Sequence, residues 1–282
     1  MVELVVAWLP GTYRLLTALQ GMREKYGVKG RVRRLEQRKS WNIGLDHLPN
    51  RESFDVEFSP SGLVLQINSY NMAGIFTGSE LFEYDVFGKT TRSTSLDEKG
   101  RPKATLQFSR KAESNQTITT AESDGKLTSR TVEIAEGSRI TFLAFYGGDG
   151  ILRKEKVFQY SGGQLHSSES RFFARDKTLV ERWLTSYDAA GRISRTFGIK
   201  ADGLPLGDGK YQYEYDSEGR ISRLWTFNDL DNNETATSVK IYEYQVDDHD
   251  NWTERREFHR SRSDTDWVAG VTSRKLAYYS RD

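Results

Sequence analysis

A short turn motif recurs along this chain, and it constrains the fold more than any other feature of the sequence. The motif is Tyr-Asp, two variable residues, Gly, and then Lys or Arg, and full copies occupy residues 84–89, 187–192 and 215–220. Asp at the first position of a type I turn accepts hydrogen bonds from backbone N–H groups ahead of it, and Gly at the fourth position can adopt a positive φ. The predicted turn residues are Asp85, Gly88, Asp188, Gly191, Asp216 and Gly219.

Weaker copies extend the pattern over most of the chain. They lie at residues 58–62, 146–153 and 160–164, and a stretched copy at 244–252 has Asn251 in the place of the glycine. Further turn signals lie about midway between copies, at residues 97–100, 202–203 and 231–233. Each repeat therefore predicts a hairpin of two antiparallel strands.

Aromatic residues alternate with polar residues before and after these turns. Tyr211, Tyr213 and Tyr215 precede one turn, and Trp225 and Phe227 follow it with the same period of two. This period is typical of strands with one aromatic and one polar face. The sequence predicts an all-β fold: a long twisted antiparallel meander of about 16 to 20 strands, which must curl to cover its aromatic face.

Composition excludes several classes of protein. The 282 residues contain no Cys, which excludes disulfides, Cys-ligated metals and thiol catalysis. The formal net charge is +1, so a nucleic-acid partner is not expected. We expect residues 1–26 to form a docked helix or a degenerate leader, and residues 27–282 to form the β-sheet domain. No stretch has the length and apolar character of a membrane span.

Catalytic and metal-binding motifs are not apparent. His249 lies among Asp247, Asp248 and Asp250, but consecutive turn residues cannot converge on one ion. Residues 229–240 resemble a calcium loop only in their first ligands. The glycine clusters have no following helix that would bind phosphate. We therefore expect no catalytic residue, no metal and no cofactor, and a protein that is not an enzyme.

One charge cluster and two tryptophans are candidates for binding a partner. Eight Lys and Arg residues lie between positions 23 and 39 with only two Glu. Arg favours bidentate contacts with acidic groups, and Trp is common in interface hot spots. A solvated first strand and core packing are the alternative explanations. The candidate partner-binding residues are Arg31, Arg33, Arg34, Arg38, Trp225 and Trp252.

The Tyr-Asp-x-x-Gly-Arg-Ile motif and its period resemble the RHS/YD-repeat family over roughly residues 27 to 279. In large members of that family, the repeats imply a strip of sheet that spirals into a shell around a toxin. This chain is several-fold too short for such a shell. The resemblance instead permits a small cytosolic immunity protein, encoded beside a polymorphic toxin.

We therefore expect a non-enzymatic, cytoplasmic protein whose partner is a cognate toxin domain, which it neutralises by covering the active site. One alternative is a surface or periplasmic module that binds polysaccharide through its aromatic face. Another is a fragment of a larger RHS shell, which would leave an unpaired strand at one or both ends.

Overall fold

The computed structural model describes residues 28–41, 53–71, 73–227, 236–261 and 268–279, and these residues form 18 β-strands with no helix among them. The predicted N-terminal helix or leader at residues 1–26 lies outside this part of the chain. The strands are β1 (Val32–Trp41), β2 (Phe54–Phe58), β3 (Val64–Tyr70), β4 (Phe76–Tyr84), β5 (Thr90–Leu96), β6 (Pro102–Glu113), β7 (Gln116–Ser123), β8 (Lys126–Glu136), β9 (Arg139–Gly147), β10 (Leu152–Ser161), β11 (Gln164–Phe173), β12 (Leu179–Tyr187), β13 (Ile193–Lys200), β14 (Pro205–Tyr215), β15 (Ile221–Phe227), β16 (Ala236–Val246), β17 (Trp252–Ser261) and β18 (Val268–Tyr278).

The sheet closes on itself. Each strand pairs antiparallel with its neighbours in sequence, and β1 pairs with both β2 and β18. The all-β antiparallel prediction is confirmed. The prediction of a long twisted meander of hairpin repeats is wrong, because the sheet closes into a barrel: β1 and β18 pair over most of their length and leave no free edge between them. Closure satisfies the edge hydrogen bonds that an open sheet would expose.

Alternate residues of each strand lie on opposite faces of the barrel wall. Residues directly opposite each other on paired strands lie on the same face. Leu35 is buried and faces Val56 on β2 and Leu276 on β18, so these residues define the inner face, and the register extends it from strand to strand. Further buried residues on this face are Ser93, Ala121, Thr196 and Tyr213. Exposed residues on the opposite, outer face include Arg92, Arg195, Gln212 and Glu243.

The three full copies of the motif form turns at one end of the barrel, which we call the motif rim, whereas the weak copy at residues 146–153 joins β9 to β10 at the other end. In the copy after β12, the Asp188 Oδ1 atom accepts hydrogen bonds from the backbone N–H groups of Ala190 and Arg192, both at 2.9 Å. The Gly191 N–H donates to the Asp188 carbonyl, and Gly191 has a φ of 74°. Asp85 and Asp216 make the same contacts in their own turns. These turns connect successive strands with little loop.

The stretched copy is in a different register from the predicted one. Asp247 begins the turn, and the backbone N–H of Asp250 donates to its carbonyl. Asp250 has a φ of 59° and so takes the place of the glycine. Asn251 therefore occupies the position that is Lys or Arg in the full copies. The sequence prediction that Asn251 replaces the glycine is wrong by one residue.

Tyrosine hydroxyl groups join neighbouring repeats along the motif rim. The Tyr215 hydroxyl donates to the Ile193 carbonyl at 2.7 Å, and the Tyr244 hydroxyl donates to the Ile221 carbonyl at 2.9 Å. Tyr84 bonds the Val64 carbonyl in the same way. The tyrosine of one unit thus binds the first strand residue after the turn of the preceding unit, which explains why the motif begins with Tyr.

Apolar packing is concentrated on the inner face near the motif rim. One cluster lies where the barrel closes, and its buried members are Val28, Val32, Leu35, Val56, Phe58, Val64 and Phe82. A second cluster contains Tyr187, Ile193 and Tyr213. Closed barrels of about 16 to 18 strands enclose more space than their inward side chains fill. We therefore treat the space inside the barrel as a lumen.

Candidate anion site in the barrel lumen

The four candidate arginines, of which Arg31 lies just before β1 and the others in it, do not form one free basic surface. Arg34 and Arg38 both pair with the buried carboxylate of Asp55, at 3.2 and 2.6 Å, on the outer face. Burial opposes ionisation of Asp55, but hydrogen bonds from Arg38 and Tyr70 hold its pKa below the usual value. These two arginines therefore neutralise a buried acid of the wall.

Arg31 and Arg33 are exposed and lie beside an irregularity in β1. The register with β18 shifts between Val32 and Arg34. Because of this bulge, Val32 and Leu35 both point inward, whereas strict alternation would place them on opposite faces. The guanidinium of Arg31 lies 5.9 Å from the ring centre of Tyr279.

The two candidate tryptophans lie on opposite faces of the wall. Trp225 is on the outer face, half-buried, between Gln212 and Val239. Trp252 is buried on the inner face, where the Arg274 guanidinium lies 3.5 Å from its ring centre. A single partner cannot contact both rings from one side, so these residues do not form a common site.

The inner face of β10 carries two lysines that sequence reasoning missed. Lys154 and Lys156 are two residues apart and therefore point to the same side of the strand. The Lys154 Nζ atom lies 4.7 Å from the ring centre of Phe172 and 5.9 Å from that of Phe145. The Lys156 Nζ atom lies 4.8 Å from the ring centre of Phe158. Both ammonium groups thus lie against aromatic faces.

Neither lysine has a carboxylate within ion-pairing distance among the residues that the structure describes. Two acids of the inner face lie in the same rows as the lysines, Glu133 on β8 and Glu181 on β12, but each is two strands away. Burial, and to a smaller extent the charge of Lys156, lowers the pKa of Lys154 to about 8. Burial also lowers the pKa of Lys156. The wall therefore holds two adjacent half-buried cations that lack a protein counter-ion in the described chain.

An aromatic pair lies further along the same wall. The row of facing residues runs from Lys156 through Ser170 to Trp183 and Gly198. A Cβ atom on Gly198 would lie 3.1 Å from two carbon atoms of the Trp183 ring, so this ring lies against the backbone there. The ring also stacks on Tyr211, with centroids 6.3 Å apart and an interplanar angle of 19°. The Trp183 Nε1 donates to Glu181 at 3.1 Å.

The outer face combines a charged arc with an apolar arc. On β10 and β11, Arg171 bonds Glu155 at 3.0 Å and Glu169 at 2.8 Å, beside an open groove of about 450 Å³. Further outer ion pairs are Arg92–Glu83, Arg223–Glu214 and Arg256–Glu254. The apolar arc spans β7 to β10 and comprises Ile118, Val132, Ile134, Phe142, Ala144 and Val157.

A signal for the lumen lysines was present in the sequence. Lys154 and Lys156 lie at alternate positions of the same strand as Phe158 and Tyr160, and so belong to the predicted aromatic face. Lysine on such a face is unusual, because an ammonium avoids burial unless it is paired. Asp247 and His249, considered as metal ligands, instead contact Tyr278. No group of three or more acidic or His residues in the described ranges could hold a metal ion.

No family model matches this chain, and no curated protein matches it. A porin-like protein from Bacteroides uniformis ATCC 8492 is similar in structure, with a TM-score of 0.44, 10% identity, and coverage of 87% of this chain and 96% of that one. A porin-like protein from Bacteroides vulgatus ATCC 8482 has a TM-score of 0.32, 13% identity, and coverage of 89% and 99%. A DUF1329 family protein from Desulfovibrio piger ATCC 29098 has a TM-score of 0.25, 10% identity, and coverage of 92% and 90%. These low scores support no statement about activity.

The assignment to the RHS/YD-repeat family is wrong, because no family model matches and the sheet closes into a barrel. The immunity function, the toxin partner and the cytoplasmic location were inferred from that family and are wrong with it. The RHS-fragment alternative fails because β1 and β18 pair with each other. The polysaccharide alternative required an aromatic row on the outer surface and is wrong, because Tyr211 and Tyr213 are on the inner face and Tyr213 is buried.

No helix of the described residues is long and apolar enough to cross a membrane.

Proposed function

We propose that the barrel binds anionic solutes in its lumen, at Lys154 and Lys156, and that it does so without catalysis. The observation that carries the proposal is the pair of inward ammonium groups on β10 with no ion-pairing carboxylate in the described chain. A buried charge without a partner is unfavourable, and a bound anion supplies the missing counter-ion.

The surroundings of the two lysines favour a ligand over a purely structural role. Elsewhere on the inner face, the buried carboxylate of Glu257 has a partner, since the Lys240 Nζ atom lies 2.8 Å from it. Lys154 and Lys156 contact aromatic rings instead, and these rings exclude water from one side of each ammonium. An ion pair formed in such a place is stronger than one formed at the surface.

Anion binding by matched lysine variants tests the proposal. Acetate and inorganic phosphate are titrated into the wild type and into the Lys154→Met/Lys156→Met double variant, and binding is followed by calorimetry. Methionine keeps much of the side-chain length but removes the charge. Each charge-assisted hydrogen bond contributes about 1.5–3 kcal/mol, so we expect affinity to fall at least about tenfold.

Lys111→Met is the control. Lys111 lies on the outer face with an exposed side chain, so the variant changes the net charge by the same sign without touching the lumen. Its anion affinity should equal that of the wild type. Unchanged affinity in the double variant, or an equal loss in the control, would show that these lysines do not form the site.

A further inference from the structure

The wall beside the lysines has a shape that favours a flat ligand. Along the row from β10 to β12, Lys156 faces Ser170 and Ser170 faces Trp183. Ser170 is small and half-buried, whereas both of its neighbours in the row are large. The small side chain of Ser170 therefore leaves a low point in the wall between two large side chains. Adjacent strands are about 4.8 Å apart, so about 10 Å separates the Lys156 and Trp183 backbones across this low point.

Trp183 presents a fixed aromatic surface at the far side of that low point. Trp183 is half-buried on the inner face, and a Cβ atom on Gly198 would lie 3.1 Å from its ring and 2.7 Å from the Leu206 side chain. Stacking on Tyr211 and the Nε1 hydrogen bond to Glu181 hold the ring in place. A ring held in this way pays little conformational entropy when a ligand stacks on it.

We propose that the lumen site selects anions that carry an aromatic ring, with aryl carboxylates as the model class. The inference rests on the proposed function, because the carboxylate binds Lys154 and Lys156. The ring of the ligand lies over Ser170 and contacts the half-buried side chain of Trp183. Phe172, beside Lys154, borders the same space from β11. Aromatic contacts of this kind add to the contribution of burial.

Three carboxylates of equal charge distinguish the contribution of the aromatic ring to affinity from that of the anionic group. Benzoate has a flat aromatic ring, cyclohexanecarboxylate has a saturated ring of similar size, and acetate has none. Calorimetric titration of the wild type should give benzoate an affinity about three- to tenfold higher than that of cyclohexanecarboxylate, with acetate the weakest of the three. Equal affinity for the two ring compounds would overturn the inference.

Variants of Trp183 assign the preference to this residue. Trp183→Leu should bring the ratio of benzoate to cyclohexanecarboxylate affinity close to one and leave acetate affinity unchanged. Trp183→Phe keeps an aromatic face, so it should retain most of the preference and also controls for folding. A preference that persists in Trp183→Leu would overturn the inference.

The two proposals fail in different ways. If acetate affinity is unaffected in the Lys154→Met/Lys156→Met double variant, the anion site itself is wrong. If acetate affinity depends on the lysines but the ring preference does not depend on Trp183, only the aromatic selectivity is wrong.

Discussion

The side-chain amide of Asn251 bonds both the N–H and the carbonyl of Lys29, as the backbone of a paired strand residue does. The Asn251 Oδ1 accepts a hydrogen bond from the Lys29 N–H, and its Nδ2 donates to the Lys29 carbonyl at 3.0 Å. The same Nδ2 donates to the Tyr278 hydroxyl at 2.8 Å. Asn251 is fully buried and thus joins the segment before β1 to the last motif turn and to β18. This contact stabilises the seam at which the barrel closes.

Asn251→Ala should therefore weaken the seam. It removes three hydrogen bonds and leaves polar groups without partners, so we expect a loss of about 1–3 kcal/mol in the free energy of unfolding. Hydrogen exchange should accelerate at the Tyr279 amide, which donates to the Arg31 carbonyl. Asn115→Ala, at an exposed turn, is the control. Equal destabilisation by the two changes would contradict the role given to Asn251.

The motif glycine is required for its backbone angle and not for space. A Cβ atom on Gly191 would have no atom within 4 Å, yet its φ is 74°. Gly191→Ala should cost about 1 kcal/mol of stability, because Ala disfavours positive φ. Gly191→Asn should cost less, since Asn tolerates this conformation and Asp250 adopts it in the stretched copy. Denaturant unfolding measures both values, and equal losses would refute the explanation.

The tyrosine hydroxyl of the motif should contribute measurably to stability. Tyr215→Phe removes the hydrogen bond to the Ile193 carbonyl and keeps the ring, so we expect a loss of about 1 kcal/mol in denaturant unfolding. Tyr146→Phe is the control: its ring lies 4.3 Å from the Arg130 guanidinium, a contact that does not need the hydroxyl. A loss at Tyr146 as large as that at Tyr215 would argue against the hydroxyl contacts.

Burial of Lys154 gives stability a dependence on pH. In the unfolded chain the lysine keeps its proton up to its ordinary pKa of 10.5, whereas the folded chain releases it near 8. Between these values the unfolded state binds more protons, so the contribution of Lys154 to stability rises with pH. Lys154→Met should thus be more stable than the wild type at pH 7, by on the order of 1–3 kcal/mol, and the advantage should shrink by pH 10. A difference that stays constant between pH 7 and pH 10 would contradict the lowered pKa of Lys154.

Local chemistry in the sequence predicts most of the strands and turns. The Asp and Gly of the motif indicate a turn because both effects are local. Asp188 accepts a hydrogen bond from a backbone N–H four residues later, and Gly191 adopts the positive φ that the turn needs. Closure was not predictable in this way. The pairing of Leu35 with Leu276 joins residues at opposite ends of the chain, and no local pattern specifies that register.

The candidate site was missed because its two charges do not form a run in the sequence. Residues 23–39 contain the dense run of basic residues. Lys154 and Lys156 are separated by Glu155, which points outward to Arg171, so the pair becomes apparent only when the two faces are separated.

Side-chain NMR of ¹⁵N-labelled lysine, recorded during titration with benzoate, tests the central claim most directly. The account predicts that the Nζ resonances of Lys154 and Lys156 shift and saturate together, and that the pKa of Lys154 rises from about 8 because the bound anion favours the charged form. Lys111, on the outer face, should not shift. Saturable shifts confined to other lysines, or no change in the titration of Lys154, would contradict an anion site in the lumen.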